Sequence, residues 1–480
     1  MVRWHLWDPW RTAAVRPSRP AIVEGGDCCT FAELVARAEQ FGGGIARLGV
    51  REGELLATDI PSGPDLFALV LAALRGGYGV FPLSRDRDAQ ARDGLLRKSG
   101  AVIEVTASAR EGGAVPCVTA GDVARAASGP GLPASRAGYL AFTTSGTTGV
   151  PAVVLRGRPS YSYRGVAVIG EYHAGLESGA HVMADPRFHL GTLGLGLYAL
   201  QAGSPLVIAR QWSPGCFREL VDGHRADTAF VGPAQLAGLV EEGQVPGHAL
   251  RVLFHAGSST PPDVKRRAIE LFGPVLHEFY GTSQGIACQI SAREWLSHPR
   301  AVGRAMPGVG VSVRNGDAEA APEQIGRIHL RYRAADTGAA DPAYEDTGDL
   351  GFVDGEGYLH VVGRSGPDGL RQPALLEHLV RQRDGVTDVA VIASPGDPGA
   401  VTCYLEYSGA DAPMTAGQIT ELGRGLGIAK VVVKAGPSGS FARTASGKLS
   451  RVPARQDKPP APGPGGEQAG HSARETGQES

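Results

Sequence analysis

Helix-like and strand-like segments alternate along the first 285 residues of the chain. The stretch from Thr30 to Leu48 opens with Thr30 and Glu33 at capping-box spacing and places its apolar residues on one helical face. The next helical stretch, Asp65 to Arg75, is apolar nearly all round, and the strand-like run Tyr78 to Leu83 follows it. This alternation is typical of a parallel sheet covered by helices, so we expect an α/β fold.

The periodicity changes after residue 285 and again near residue 365. Runs at 308–314, 326–333 and 357–363 resemble antiparallel strands joined by Gly and Asp turns, which predicts a small β unit. The stretch Ser365 to Gly369 breaks both periodicities and is the predicted hinge. Beyond it, two helical and three strand-like runs predict a small, mobile α+β domain. We therefore expect an N-terminal domain at 1–364, a hinge at 365–369, a C-terminal lid at 370–455 and a disordered tail at 456–480.

Size and charge exclude several classes of protein. With 480 residues and 42% hydrophobic residues, the chain can form more than one core. The net charge of −2 gives no global positive field for nucleic acid or anionic lipid. The longest apolar run, near Leu66 to Leu74, is shorter than the roughly 20 residues that span a bilayer. The N-terminus lacks a secretory pattern, and the six Cys lack metal-site spacing. We expect a cytoplasmic protein with no nucleic-acid or membrane partner.

A loop rich in hydroxyl groups and glycine follows the strand-like run Tyr139 to Phe142. It reads Thr-Thr-Ser-Gly-Thr-Thr-Gly-Val-Pro from Thr143 to Pro151. Such a loop suits a polyphosphate, because glycine lets the backbone approach an anion while N–H and O–H groups donate to its oxygens. The composition also fits an ordinary exposed turn. It is not a Walker loop, since the chain has no GxxxxGK[ST] sequence.

These residues resemble the TSGTTGxP signature of the adenylate-forming superfamily, which includes acyl-CoA synthetases, peptide-synthetase adenylation domains and luciferases. Further motifs follow in the family's order, and the resemblance spans roughly residues 15–455. They are Tyr280–Gln284 for YGxTE, Thr347–Leu350 for TGDL, Asp354–Leu359 for DxDGYL, Gly363–Arg364 for the GR pair and Arg443–Lys448 for RTxSGK.

The resemblance implies a large N-terminal domain of α/β subdomains and a β unit, a mobile C-terminal domain, and ATP and Mg²⁺ as cofactors. It also implies a role for each matched residue. The phosphate loop would be Thr144, Ser145, Gly146, Thr147, Thr148 and Gly149; the adenine site would be Gly257, Ser258, Ser259, Tyr280, Gly281, Thr282 and Ser283; the ribose ligands would be Asp349 and Arg364; the catalytic residues would be Lys448 and, beside the acid, His189; Gln284 would lie near the metal.

Each of these assignments has a plainer alternative. Asp349 and Arg364 can be read as turn charges, His189 as a loop residue and Lys448 as a surface lysine. The resemblance favours the catalytic role for Lys448, and the chemistry fits it, since a lysine bridging acid and phosphate would stabilise the charge that develops during attack on the α-phosphorus. Because it lies in the small domain, we expect domain closure to complete the site. The acid pocket would be formed by 188–195, 230–234, 255–258 and 281–288.

Three features depart from the family pattern. Ala152 stands at the position where the family has a lysine after the loop proline. Arg156 lies too far along the strand to take over the role of that lysine simply. Gln284 stands at the position of the motif glutamate near Mg²⁺. Its neutral amide cannot neutralise the charge of the metal as a carboxylate does. The segment between Arg364 and Glu377 is about five residues short, which removes the loop that serves thioester formation in the family.

The leading hypothesis is therefore an enzyme that joins a small acid to AMP, releases pyrophosphate, and passes the acid to CoA, a carrier protein or an amine. The shortened segment favours an acceptor other than CoA, or an unusual acid such as nitrite for diazotisation of an aryl amine. The alternative is a nucleotide-binding protein that has lost catalysis. Ala152 and Gln284, which depart from the family motifs, are the residues that motivate it.

Overall fold

The fold is known from a computed structural model. It describes residues 9–85, 88–110, 112–129, 138–143, 153–156, 179–184, 190–248, 250–282, 285–332, 343–365, 371–394, 397, 399–442 and 449, with backbone alone at 154–156 and 190.

Helices occur throughout these ranges, and most lie between strands. They are α1 Pro9–Val15, α2 Phe31–Arg47, α3 Pro64–Arg75, α4 Ala89–Ser99, α5 Ala120–Ala126, α6 Leu190–Gln201, α7 Pro214–His224, α8 Pro233–Glu242, α9 Pro262–Phe272, α10 Ala292–Ser297, α11 Gln372–Arg381 and α12 Ala416–Gly425.

The strands form four sheets. In chain order they are β1 Pro20–Glu24, β2 Asp27–Thr30, β3 Leu55–Thr58, β4 Gly79–Pro82, β5 Ala101–Thr106, β6 Cys117–Thr119, β7 Tyr139–Thr143, β8 Val153–Arg156, β9 Ala180–Met183, β10 Leu206–Ile208, β11 Ala226–Val231, β12 Val252–Ala256, β13 Leu276–Thr282, β14 Gly285–Ser291, β15 Arg304–Ala305, β16 Val309–Asn315, β17 Ala318–Glu319, β18 Gly326–Tyr332, β19 Glu345–Val353, β20 Leu359–Arg364, β21 Val386–Ala393, β22 Ala400–Tyr407 and β23 Lys430–Pro437.

Local sequence signals fix the first helices as predicted. The Thr30 hydroxyl accepts a bond from the Glu33 amide at 3.2 Å, and the Glu33 carboxylate accepts one from the Thr30 amide at 2.8 Å, so the capping box of α2 is closed. Helix α3 ends at Arg75 with Gly76 as its C-cap, and its residues 66–73 are all buried. The predicted strands at 78–83 and 101–105 are β4 and β5.

The largest sheet has nine strands in the order β15-β14-β13-β12-β11-β9-β10-β1-β2. Neighbours from β13 to β1 are parallel, whereas β2, β14 and β15 are antiparallel to their neighbours. One face is covered by α7, α8 and α9, and the other by α2, α3 and α6. The parallel strands end together at one edge, which is where ligands bind in open α/β sheets.

A second sheet of six strands, in the order β6-β5-β3-β4-β7-β8, packs on the far side of α2 and α3. Its last pair is antiparallel: Thr143 at the end of β7 pairs with Val153 at the start of β8. Residues 144–152, which include the predicted phosphate loop, therefore begin and end at this pair.

The β unit is an antiparallel sheet in the order β17-β16-β18-β19-β20. Its core is shared with β14, since Ala287 and Cys288 are fully buried against Ile328 and Leu330. Strand β19 was not predicted, because its sequence Glu-Asp-Thr-Gly-Asp-Leu-Gly-Phe-Val is polar and rich in turn residues.

The C-terminal part consists of α11, α12 and the sheet β21-β22-β23, around a separate apolar core. It also contacts the β unit, because Ala374 of α11 packs against Leu350 and Val362. Among the described residues, no helix combines the length and apolar character needed to cross a bilayer.

Candidate active site

The turn after β12 lies at the carboxyl edge of the large sheet. Its residues Gly257, Ser258 and Ser259 are exposed. Gly257 has φ of +107°, a backbone conformation that favours glycine. Beneath the turn, His255 Nδ1 lies 3.4 Å from Thr260 Oγ1, which ties the end of the strand to the start of the next helix. The predicted adenine edge thus presents one glycine and two serines on a closed turn.

The neighbouring strand, β13, folds back into β14 as a tight hairpin. A Cβ atom on Gly281 would lie 2.2 Å from the carbonyl oxygen of Gly285. Because that obstacle is backbone, a larger residue at 281 would have to displace the hairpin. Tyr332 of β18 donates its hydroxyl to the same carbonyl at 2.8 Å. The hairpin is therefore fixed from two sides, and Tyr280 and Thr282 are half-buried beside it.

A carboxylate stands where the large sheet meets the β unit. The Tyr280 hydroxyl donates to Asp349 Oδ2 at 2.9 Å, and Arg364 Nη1 lies 3.6 Å from Asp349 Oδ1. Asp349 and Arg364 are direct neighbours on β19 and β20. The structure thus brings together three of the residues that the family motifs single out.

The backbone around Asp349 is held by its own motif. The Thr347 hydroxyl donates to the Ile328 carbonyl at 2.8 Å and accepts from the Asp349 amide at 3.0 Å. Arg364 Nη2 donates to the Thr347 carbonyl at 2.9 Å, and Gly348 has φ of +76°. Sequence reasoning assigned no role to Thr347 or Gly348, although the TGDL motif contains both.

Charge and exposure in this corner suit a polar ligand. The side chain of Asp349 is 15% exposed and that of Arg364 is 47% exposed, so both retain surface for a further partner. Burial, followed by the nearby Asp349 carboxylate, raises the pKa of Tyr280 well above its usual value. The phenol therefore keeps its proton and acts as a hydrogen-bond donor.

A buried charged layer lies directly behind the site. Lys265 of α9 is paired with Glu278 of β13, and its Nζ atom lies 4.8 Å from the centroid of a Trp295 ring. Burial lowers the pKa of Lys265, and burial together with Lys265 lowers the pKa of His255 well below its usual value. His255 has no exposed surface, so it belongs to this layer and not to an open acid pocket. Nothing in the sequence spacing pointed to the pair.

Several predicted site residues lie outside the described residues, and their predictions stand untested. Within the described ranges, no cluster of three or more His, Cys, Asp or Glu side chains could hold a metal ion. Outside those ranges are Thr144, Ser145, Gly146, Thr147, Thr148, Gly149, Ala152, His189, Ser283, Gln284, Lys448, the hinge at 366–369 and the tail at 456–480.

Comparison with known proteins defines the class. Residues 9–335 match the family described as AMP-binding enzyme, so the chain belongs to this family. The predicted superfamily is therefore confirmed, and the protein is an ATP-dependent adenylate-forming ligase.

Individual relatives are distant. The chain is 26% identical to a sulfoacetate–CoA ligase of Cupriavidus necator over 86% of this chain and 90% of that protein. It is 27% identical to triostin synthetase I of Streptomyces triostinicus, over 90% of each. Among solved structures, o-succinylbenzoate coenzyme A synthetase from Bacillus subtilis, in complex with ATP and magnesium, superimposes with a TM-score of 0.73 at 21% identity, covering 92% of this chain and 98% of that one. The predicted fold class is confirmed.

Proposed function

We propose that the protein adenylates a small acid with ATP, releases pyrophosphate, and transfers the activated acid to an acceptor. The observation that carries this proposal is the Asp349 corner. Its carboxylate is fixed between Tyr280 and Arg364 and retains exposed surface beside the turn at Gly257. A carboxylate accepts hydrogen bonds and a guanidinium donates them, and ribose hydroxyls can form both kinds of bond.

The proposed roles follow from the family motifs that these residues match. Asp349 and Arg364 would bind the ribose, the Tyr280 ring would stack on adenine, and the turn at 257–259 would border the adenine edge. Residues 144–149 would bind the outer phosphates, and Mg²⁺, when bound near Gln284, would neutralise phosphate charge. Lys448 would stabilise the charge that develops at the α-phosphorus, with His189 beside the acid.

We further propose that the C-terminal part acts as a lid about a hinge at 365–369. Arg371, next to that segment, donates to Asn315 Oδ1 at 2.8 Å, and α11 packs on β20 through Ala374. The C-terminal part has an apolar core of its own, which supports its rotation as one body about this point; such a rotation would break the bond of 3.2 Å from the Gly385 amide to Asp263 Oδ2. Lid rotation would carry Lys448 to and from the nucleotide.

The acceptor is proposed as CoA, a carrier protein or an amine. Sulfoacetate–CoA ligase, by its name, uses CoA, whereas another relative is named a probable non-canonical nonribosomal peptide synthetase. Strand β20 ends at Arg364 and α11 begins at Gln372, and the resemblance implies a segment about five residues longer between Arg364 and Glu377 in the family. This shortening favours an acceptor other than CoA, and nitrite activation for diazotisation is the most divergent form of the proposal.

The test is a mass-spectrometric screen with ATP, mixed acids and mixed acceptors, together with ATP–pyrophosphate exchange. An acid-dependent adenylate supports the proposal, and the product identifies the acceptor. ATP binding without exchange for any acid would favour the inert nucleotide-binding homologue.

Lys448→Ala tests the proposed catalytic residue. We expect adenylate formation to fall by at least about 10²-fold, because a transition-state charge partner is lost. The matched control is Lys430→Ala, which removes a 63% exposed lysine of the same part of the chain and should leave the rate unchanged. An unchanged rate in Lys448→Ala would remove this residue from the mechanism.

A further inference from the structure

We propose that the Tyr280 hydroxyl is a positioning group that orients the Asp349 carboxylate toward the ribose, in addition to any stacking by the tyrosine ring. This inference rests on the proposed function, and it assigns to the hydroxyl a role that stacking alone does not need. A phenylalanine would stack as well as a tyrosine. The hydroxyl must therefore be explained by what it contacts.

The contact fixes one of the two carboxylate oxygens. Asp349 Oδ2 accepts the Tyr280 hydroxyl at 2.9 Å, while Oδ1 faces Arg364 Nη1 at 3.6 Å. The two partners approach from different strands, β13 and β20, so the plane of the carboxylate is defined from both sides. A carboxylate offers about four acceptor positions, so it can accept ligand hydroxyls in addition to fixed protein donors.

The bond also spans two sheets. Tyr280 belongs to the nine-stranded sheet, whereas Asp349 belongs to the β unit. The hydroxyl therefore joins the adenine platform directly to the ribose ligand. Without it, Asp349 Oδ2 would lose this donor, while Oδ1 would still face Arg364.

A purely structural role is the competing explanation, and the molecule contains a matched control for it. The Tyr332 hydroxyl also links the two sheets, since it donates to the Gly285 carbonyl at 2.8 Å. It contacts backbone and no carboxylate in that bond. If the two hydroxyls only hold the sheets together, Tyr280→Phe and Tyr332→Phe should change nucleotide affinity and ribose preference in the same way.

The experiment is calorimetric titration of the full-length protein with ATP, 2′-deoxy-ATP and 3′-deoxy-ATP, comparing wild type, Tyr280→Phe and Tyr332→Phe. For wild type, we expect at least one deoxy analogue to bind about 10-fold more weakly than ATP, as expected for a lost hydrogen bond to a charged group. In Tyr280→Phe, ATP affinity should fall about 5- to 10-fold, and the preference for the ribose hydroxyl should shrink to about 2-fold. In Tyr332→Phe the preference should be kept.

The outcomes separate this inference from the proposed function. If wild type binds none of the three nucleotides, the proposed function fails and the inference fails with it. If wild type prefers ATP and Tyr280→Phe keeps that preference in full, only the positioning role is overturned. Tighter ATP binding in Tyr280→Phe would also overturn it, because the hydroxyl would then compete with the ribose. Melting curves of both variants check that the fold is kept.

Discussion

Breaking the buried ion pair of Lys265 and Glu278 should destabilise the large sheet more than replacing both partners. The two side chains are 2% and 9% exposed, so neither charge can be solvated if the other is removed. Loss of one partner of a buried pair costs about 3–5 kcal/mol, whereas apolar residues of similar volume at both positions are often neutral. We expect a loss of about 3–5 kcal/mol for Lys265→Met, and of no more than about 2 kcal/mol for the double variant with Glu278→Met.

Guanidinium chloride unfolding, followed by far-ultraviolet circular dichroism, measures the unfolding free energy of wild type and of each variant. The control is Lys430→Met, which breaks an exposed pair with Asp397 at 3.1 Å and should cost at most about 1 kcal/mol. The reasoning is wrong if Lys265→Met costs no more than this control, or if the double variant loses as much as the sum of the two single variants.

Two further predictions concern the hairpin and acid sensitivity. Gly281→Ala should lower the unfolding free energy by about 1–3 kcal/mol and weaken ATP binding, because the added Cβ would lie 2.2 Å from the carbonyl oxygen of Gly285. The control is Gly94→Ala on α4, where a Cβ meets open space. It should raise the unfolding free energy by about 0.5–1 kcal/mol. Calorimetric and denaturant curves for both variants check this contrast. Burial lowers the pKa of His277 and of His378 from 6.5 to about 4, so both bind fewer protons folded than unfolded between these values. Stability present above pH 6.5 should be lost as the pH falls toward 4, and His378→Asn should flatten that decline in unfolding curves taken across the range.

Local signals in the sequence predicted most of the secondary structure. The Thr30 and Glu33 pair marked the start of α2, and the glycines after Arg75 marked the end of α3. Such features depend on neighbouring residues alone. Strand β19 was missed because its residues favour turns, and it is extended because β18 and β20 pair with it on both sides.

The site was predictable as a set of motifs but not as a set of contacts. The motifs placed Tyr280, Asp349 and Arg364 at one nucleotide. The bond from the Tyr280 hydroxyl to Asp349 depends on how two sheets meet, and the Lys265–Glu278 pair depends on how α9 lies on β13. Neither contact can be predicted from the spacing of residues along the sequence, because each joins two separate elements of the fold.

The shared core between β14 and the β unit limits how the protein can be divided. The family match stops at residue 335, yet Asp349 and Arg364 lie on the two strands that follow. A fragment cut at that boundary would keep β18 while losing β19, and the bared strand would offer unpaired amides to other chains. Expression of a minimal nucleotide-binding piece must therefore continue through Arg364, and shorter pieces should aggregate.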